Sequence, residues 1–145
     1  MKVTVAPGRK LMARLFKGDD LLPALEKLCG ELDIRLGEVR AIGAVSRARF
    51  GYYHQAEQKY EFLELEKPLE IVSLIGNISL KDGRPMVHAH IVLADAKGAA
   101  YGGHLAEGTV IFACEVAIQE YLSGEPLVRQ LDEDTGLFLW SGGWS

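Results

Sequence analysis

Thiols are scarce in this chain: 145 residues contain two cysteines, Cys29 and Cys114. Each lies in an apolar segment with no second thiol nearby in sequence. That reads as two reduced core cysteines rather than a disulfide or a thiolate site. Long apolar runs are missing as well, since none reaches the ~18–20 residues of a membrane span. The segment Met1-Lys2-Val3-Thr4-Val5-Ala6-Pro7 has no leader-like apolar stretch or cleavage pattern, so the expected location is the cytoplasm, with no membrane partner. Basic charge is in deficit, with 16 Lys and Arg against 20 Asp and Glu and a net charge of −4. Nucleic-acid binders carry a basic stripe because phosphate neutralisation drives their affinity. Here the cations are scattered. Arg47 and Arg49 share one face of a strand, which reads as a solvated strand face and not as a DNA footprint. There is no Gly-rich phosphate loop, and Ser46, Ser73, Ser79 and Ser123 lack a nucleophile-elbow context. Gly83-Arg84-Pro85 has the core of a minor-groove AT-hook, but Asp82 stands where that motif needs arginine, so a turn is expected.

What is present is ordinary globular material. Hydrophobic residues make up 48% and charged residues 25%, enough for one domain over residues 1–145 with a real core. A strand is predicted over 9–16, broken by Gly18-Asp19-Asp20. Asp19 or Asp20 is expected to cap the next helix through its side chain. Pro23 falls in the first turn, where its missing N–H does no harm. Leu21, Leu22, Leu25, Leu28, Cys29 and Leu32 recur at helical spacing and predict an amphipathic helix over 20–33 that packs on a sheet. Strands are then predicted over 39–53, with Gly43 and Gly51 as candidate bulges, and over 59–65, 68–78, 86–94 and 109–121. A last strand covers 137–140, and Lys81-Asp82-Gly83-Arg84 forms a turn. One helix and many short strands predict an α+β fold with a mostly antiparallel sheet.

Three of the four histidines fall within 17 residues: His88-Ala89-His90 and Gly102-Gly103-His104. In a strand His88 and His90 share a face, ~6.6–6.8 Å apart at Cα. Val87, Ala89, Ile91 and Leu93 form the opposite, core-facing row. A three-residue loop, Ala96-Lys97-Gly98, with Gly98 left-handed, sets Asp95 opposite Ala99 and His90 opposite His104. A two-residue loop would instead set His104 opposite Ala89, on the wrong side. In the first register three imidazoles converge. Such a set suits Zn²⁺ before Ni, Co or Fe and leaves a fourth position open. Glu107, three residues beyond His104, is a candidate outer ligand or proton acceptor. A hydrogen-bonded polar cluster and unrelated surface histidines are the competing readings. Tyr52-Tyr53-His54 reads as strand-end packing.

The chain resembles the PPC ("plants and prokaryotes conserved") domain in its short bacterial or archaeal form. The likeness runs through Arg14-Leu15 with Gly18-Asp19-Asp20-Leu21-Leu22, Gly43-Ala44-Val45-Ser46 and Leu69 to Ile78. It continues through His88-Ala89-His90, Gly102-Gly103-His104-Leu105, Ala113-Cys114-Glu115-Val116 and Asp134-Thr135-Gly136-Leu137. The resemblance implies a compact α+β fold assembling as a homotrimer, with His88, His90 and His104 as metal ligands. It also implies a DNA-binding label, which the acidic balance and missing AT-hook oppose. A single helix leaves sheet faces and edges uncovered unless another subunit covers them. Three functions compete. One is a regulatory or scaffold trimer whose DNA association is weak or indirect. One is a zinc-dependent hydrolase or lyase acting on a small polar molecule. The third is a small-molecule binding module. No carboxylate or arginine in the sequence stands out as a substrate-orienting group.

Overall fold

The structure is a computed structural model, and it describes residues 2–141. The elements run β1 (Ala6–Leu15), α1 (Leu21–Glu31), β2 (Gly37–His54), β3 (Lys59–Leu65), β4 (Leu69–Lys81) and β5 (Arg84–Ala94). They continue with β6 (Ala100–Leu105), β7 (Val110–Leu122), β8 (Val128–Asp132) and β9 (Leu137–Ser141). The fold is α+β, and every strand pairing is antiparallel except the contact of β4 with β8. No helix among the described residues is long and apolar enough to cross a membrane.

The 18-residue β2 organises the sheet. Its first half lies between β4 and β7, and its second half pairs with β3 and touches β6. Because β4 also pairs with β5 and β5 with β6, strands β2, β6, β5 and β4 close into a ring. Gly43 is the bulge expected of it: its φ is 149°, and the β2–β4 register slips between Ala41 and Gly43. Gly51 is not a bulge. It pairs in unbroken register with Phe62 and also with His104.

The alternation of each strand puts one row inward. Val39, Leu74, Ile78, Val87, Ala89, Ile91, Leu93, Val116 and Ile118 are buried in one cluster with Leu21, Leu25 and Cys29 of α1. The helix therefore covers the inner face, as its leucine spacing requires. Its cap differs from expectation. Asp20 is the N-cap residue but makes no side-chain cap bond. Its Oδ2 accepts from the Gly108 N–H instead, so the carboxylate ties the helix start to the β6–β7 turn.

Both cysteines are free and buried, and burial pushes each thiol up to about 11. At pH 8 only ~0.1% would be thiolate, and thiolate is the reactive form. A thiol reagent is expected to leave both unlabelled in the native protein and to label two per chain in denaturant. Fast native labelling would contradict this packing.

Candidate metal centre

The hairpin that carries the histidines follows from local chemistry. Asp95 N–H donates to the Ala99 carbonyl at 3.1 Å, and Gly98 N–H to the Asp95 carbonyl at 2.8 Å. Gly98 takes φ 78°. The Asp95 carboxylate fixes the loop further by accepting from the Lys97 and Ala99 N–H groups. It also accepts from Lys67 Nζ and the Tyr101 hydroxyl, and these partners hold it well below the usual carboxylate range. This is the three-residue loop, and His90 lies opposite His104.

His88, His90 and His104 thus meet within one chain, on the sheet face opposite the core row. Their ring centroids are 5.0–5.7 Å apart. One ligand atom from each falls within 4.8 Å of the others. Tetrahedral zinc with Zn–N of 2.0–2.1 Å needs about 3.4 Å between nitrogens, a contraction within reach of imidazole torsions. His104 Nδ1 is buried and has no hydrogen-bond partner. A buried polar atom without a partner costs free energy, and a metal would satisfy it. The residues present fit the ion.

The surroundings make room for this. Gly51, opposite His104, leaves space for the rings of β3, since a Cβ there would lie 3.0 Å from both Tyr60 and Phe62. The Tyr60 ring sits 4.9 Å from that of His104. Glu107 stands outside the histidine group. It is exposed in the turn after β6, and its carbonyl accepts from Arg49 Nη1. Arg47 and Arg49 are engaged with Glu66 and Glu64, and Arg49 lies 4.0 Å over the Phe62 ring. His54 pairs with Glu61, and the Tyr53 hydroxyl donates to the Thr135 carbonyl.

An arginine near the histidines was not apparent from the sequence; the structure supplies one. Arg129, on β8, is 6% exposed. Its Nε donates to Ser79 Oγ at 2.9 Å, Nη1 to the Phe138 carbonyl at 2.9 Å and Nη2 to Asn77 Oδ1 at 2.6 Å. Asn77 lies opposite His88 in the β4–β5 ladder. The signal that was available is the β9 strand after Asp134-Thr135-Gly136. A strand following so tight a turn calls for a partner just upstream, which is β8.

Burial, with help from Arg129 and the neighbouring imidazoles, lowers His88 and His104 from 6.5 to about 4. Between those values the unfolded chain binds protons that the folded chain refuses. Stability of the metal-free protein is therefore expected to fall as pH drops from about 6.5 to about 4, and to be complete above that window. Urea midpoints across pH 7.5–4 should slope less in His88→Gln/His104→Gln. Equal slopes would contradict the assignment.

The fold has counterparts. A metal-containing protein from Archaeoglobus fulgidus is 43% identical, with a TM-score of 0.92 over 98% of this chain and 100% of that one. A plant- and prokaryote-conserved protein from Pyrococcus horikoshii is 34% identical, with a TM-score of 0.91 over 100% and 99%. A Ralstonia eutropha protein described as a candidate DNA-binding protein is 27% identical, with a TM-score of 0.79 over 91% and 90%. Among curated proteins, a bifunctional protein GlmU from Synechococcus sp. is 36% identical over 124 residues. Those are 85% of this chain but only 18% of that protein's length. The family model for the Plants and Prokaryotes Conserved (PCC) domain matches residues 3–122. Most of the chain is thereby accounted for, and it belongs to the PCC, or PPC, domain family.

Proposed function

We propose that this chain is a self-associating module of the regulatory or scaffold type. In this reading His88, His90 and His104 hold a divalent metal, zinc before others, with one position open to a ligand. The observation that carries it is the convergence of His88, His90 and His104, one ring nitrogen from each within 4.8 Å of the others, together with the buried, partnerless Nδ1 of His104. The metal-containing Archaeoglobus neighbour supports it. Zinc on three imidazoles supplies a Lewis-acidic position for water or an anionic ligand. Beside the histidines, Tyr60 and residues of the β8–β9 hairpin line a cavity together with His88 and His104, while His90 is exposed. Protein reconstituted with zinc and dialysed should retain near one zinc per chain and melt at higher temperature than the chelated form. No retained zinc would refute the reading. An enzymatic role of the hydrolase or lyase type would use the same open position and would show as turnover that follows the metal.

Self-association rests on the sheet face that α1 leaves uncovered. Met12, Ala117, Arg40, Ile75, His90 and His104 form a continuous row across β1, β7, β2, β4, β5 and β6. On this face Met12, Ile42, Val72, Ile75, Val92 and Phe112 are exposed. Apolar side chains spread over that breadth mark an interaction surface, and copies of this chain closing into a homotrimer would cover it. Light scattering should give the mass of three chains; a monomer at micromolar concentration would sink the assembly. DNA is the second partner to test, because of the Ralstonia protein's description. Fluorescence anisotropy with a labelled duplex at low salt decides it, since a direct phosphate contact must weaken steeply as salt rises.

A further inference from the structure

The cavity between β3, β5 and the β8–β9 hairpin has a charge pattern that the metal does not explain. It encloses about 310 Å³ and is reached by His88, His104, Arg129 and Lys59. No Asp or Glu lines it, although acids outnumber bases in the chain. Apart from the neutral amide of Gln58, the rest of its wall is mainly apolar or aromatic, chiefly Tyr60 and Phe138. Arg129 is the unusual group. It is more than nine-tenths buried, yet its three recorded acceptors, Ser79 Oγ, Asn77 Oδ1 and the Phe138 carbonyl, are all neutral. No carboxylate among the described residues pairs with it. A guanidinium has five N–H donors, so two are left beyond those three bonds. Buried charges are ordinarily paired. The centre of the Trp140 ring lies 5.7 Å from the Arg129 guanidinium carbon, a contact that favours the cation but brings no compensating negative charge.

We infer that this cavity binds a small organic oxyanion with a compact apolar body, its anionic group held by Arg129 beside the histidines and its body lying against Tyr60 and Phe138. This deepens the metal reading, because the anionic group would share the open coordination position, but the Arg129 subsite acts without metal as well. A carboxylate and a phosphate carry the same recognition chemistry. They differ in the apolar body that the aromatic wall selects.

The test uses benzoate, its neutral analogue benzamide and inorganic phosphate as probes, titrated by calorimetry into the full chain in chelated and zinc-loaded forms. Benzoate should saturate the chelated protein at one site per chain, at least about tenfold tighter than benzamide, as expected of a charge-assisted hydrogen bond. It should bind tighter again with zinc. Phosphate binding more tightly than benzoate would assign the site to a phosphorylated ligand of the same class. R129M should lose the preference for benzoate over benzamide, and R129K should keep part of it. If R129M fails to fold, the comparison of benzoate with benzamide in the unmodified chain still decides. Equal binding of the two, or no saturable binding of any anion in either form, overturns the inference. Benzoate binding in the chelated protein with no gain from zinc would leave the anion site standing and count against the metal reading alone.

Discussion

Zinc retention is expected to vanish in H88A/H104A while the fold survives. Two of three ligands go, and the loss should exceed the roughly 10–100-fold that removal of a mere outer-shell partner costs. Elemental analysis after dialysis, beside the wild type, measures it. The fold should persist because both side chains lie on the outer sheet face, away from the row of Val87, Ala89, Ile91 and Leu93 that packs under α1. The metal-free double variant should be no less stable than the metal-free wild type at pH 5. There the wild type carries two imidazoles that its fold keeps from protonating and one buried nitrogen without a partner. Wild-type levels of zinc in the variant would place the metal elsewhere. The same low imidazole values predict how zinc is lost on acidification. Protons compete with a metal for its ligands. His88 and His104 offer them little competition until pH approaches about 4, so both remain able to ligate at pH 5.

The second large effect is on stability. Gly43→Ala should destabilise the chain by ~3 kcal/mol or more, since a Gly-only backbone region costs ~1–3 kcal/mol for other residues and a steric clash adds to it. At φ 149° the residue sits where L side chains are disfavoured. A Cβ there would also overlap the Ala113 carbonyl oxygen of β7. The bulge lies in the first half of β2, where β4 and β7 pair on either side, so relief would require moving two ladders at once. Gly83→Ala is the control. Gly83 has φ 76° with nothing within 4 Å of its would-be Cβ, and its cost should stay near the ~1 kcal/mol of a left-handed alanine. Urea denaturation of the two variants separates strain from clash. Equal costs would show that the β2–β7 contact yields.

The contrast between those glycines marks what was readable in the sequence. Turns and hairpins are local: Asp82-Gly83 and Ala96-Lys97-Gly98 state their geometry in adjacent residues, so loop chemistry narrowed the histidine register to two, and the structure takes the one that sets His90 opposite His104. The helix was readable from leucine spacing, and its inner face from the apolar row of β5. Long-range features were not. The Asp20 carboxylate had a remote competitor for its cap, the Gly108 N–H, 88 positions away. Gly51 looked like a bulge because a strand glycine often is one; its use is to give Tyr60 and Phe62 space beside His104. Arg129 was invisible as a site residue, since its role depends on a parallel contact between β8 and β4 that no local pattern announces.

The pairing of His90 with His104 also says something about how such a site is inherited. Side chains alternate along a strand, so whether the third imidazole faces the other two depends on an odd or even count. One residue inserted between Ala100 and Gly103, with the pairing from Asp95 and Ala99 kept, turns the imidazole of His104 into the core while every histidine stays in the sequence. The site is stored as a parity. A relative can keep all three histidines and still lack the centre, so aligned histidines must be counted back to the hairpin before they are read as ligands.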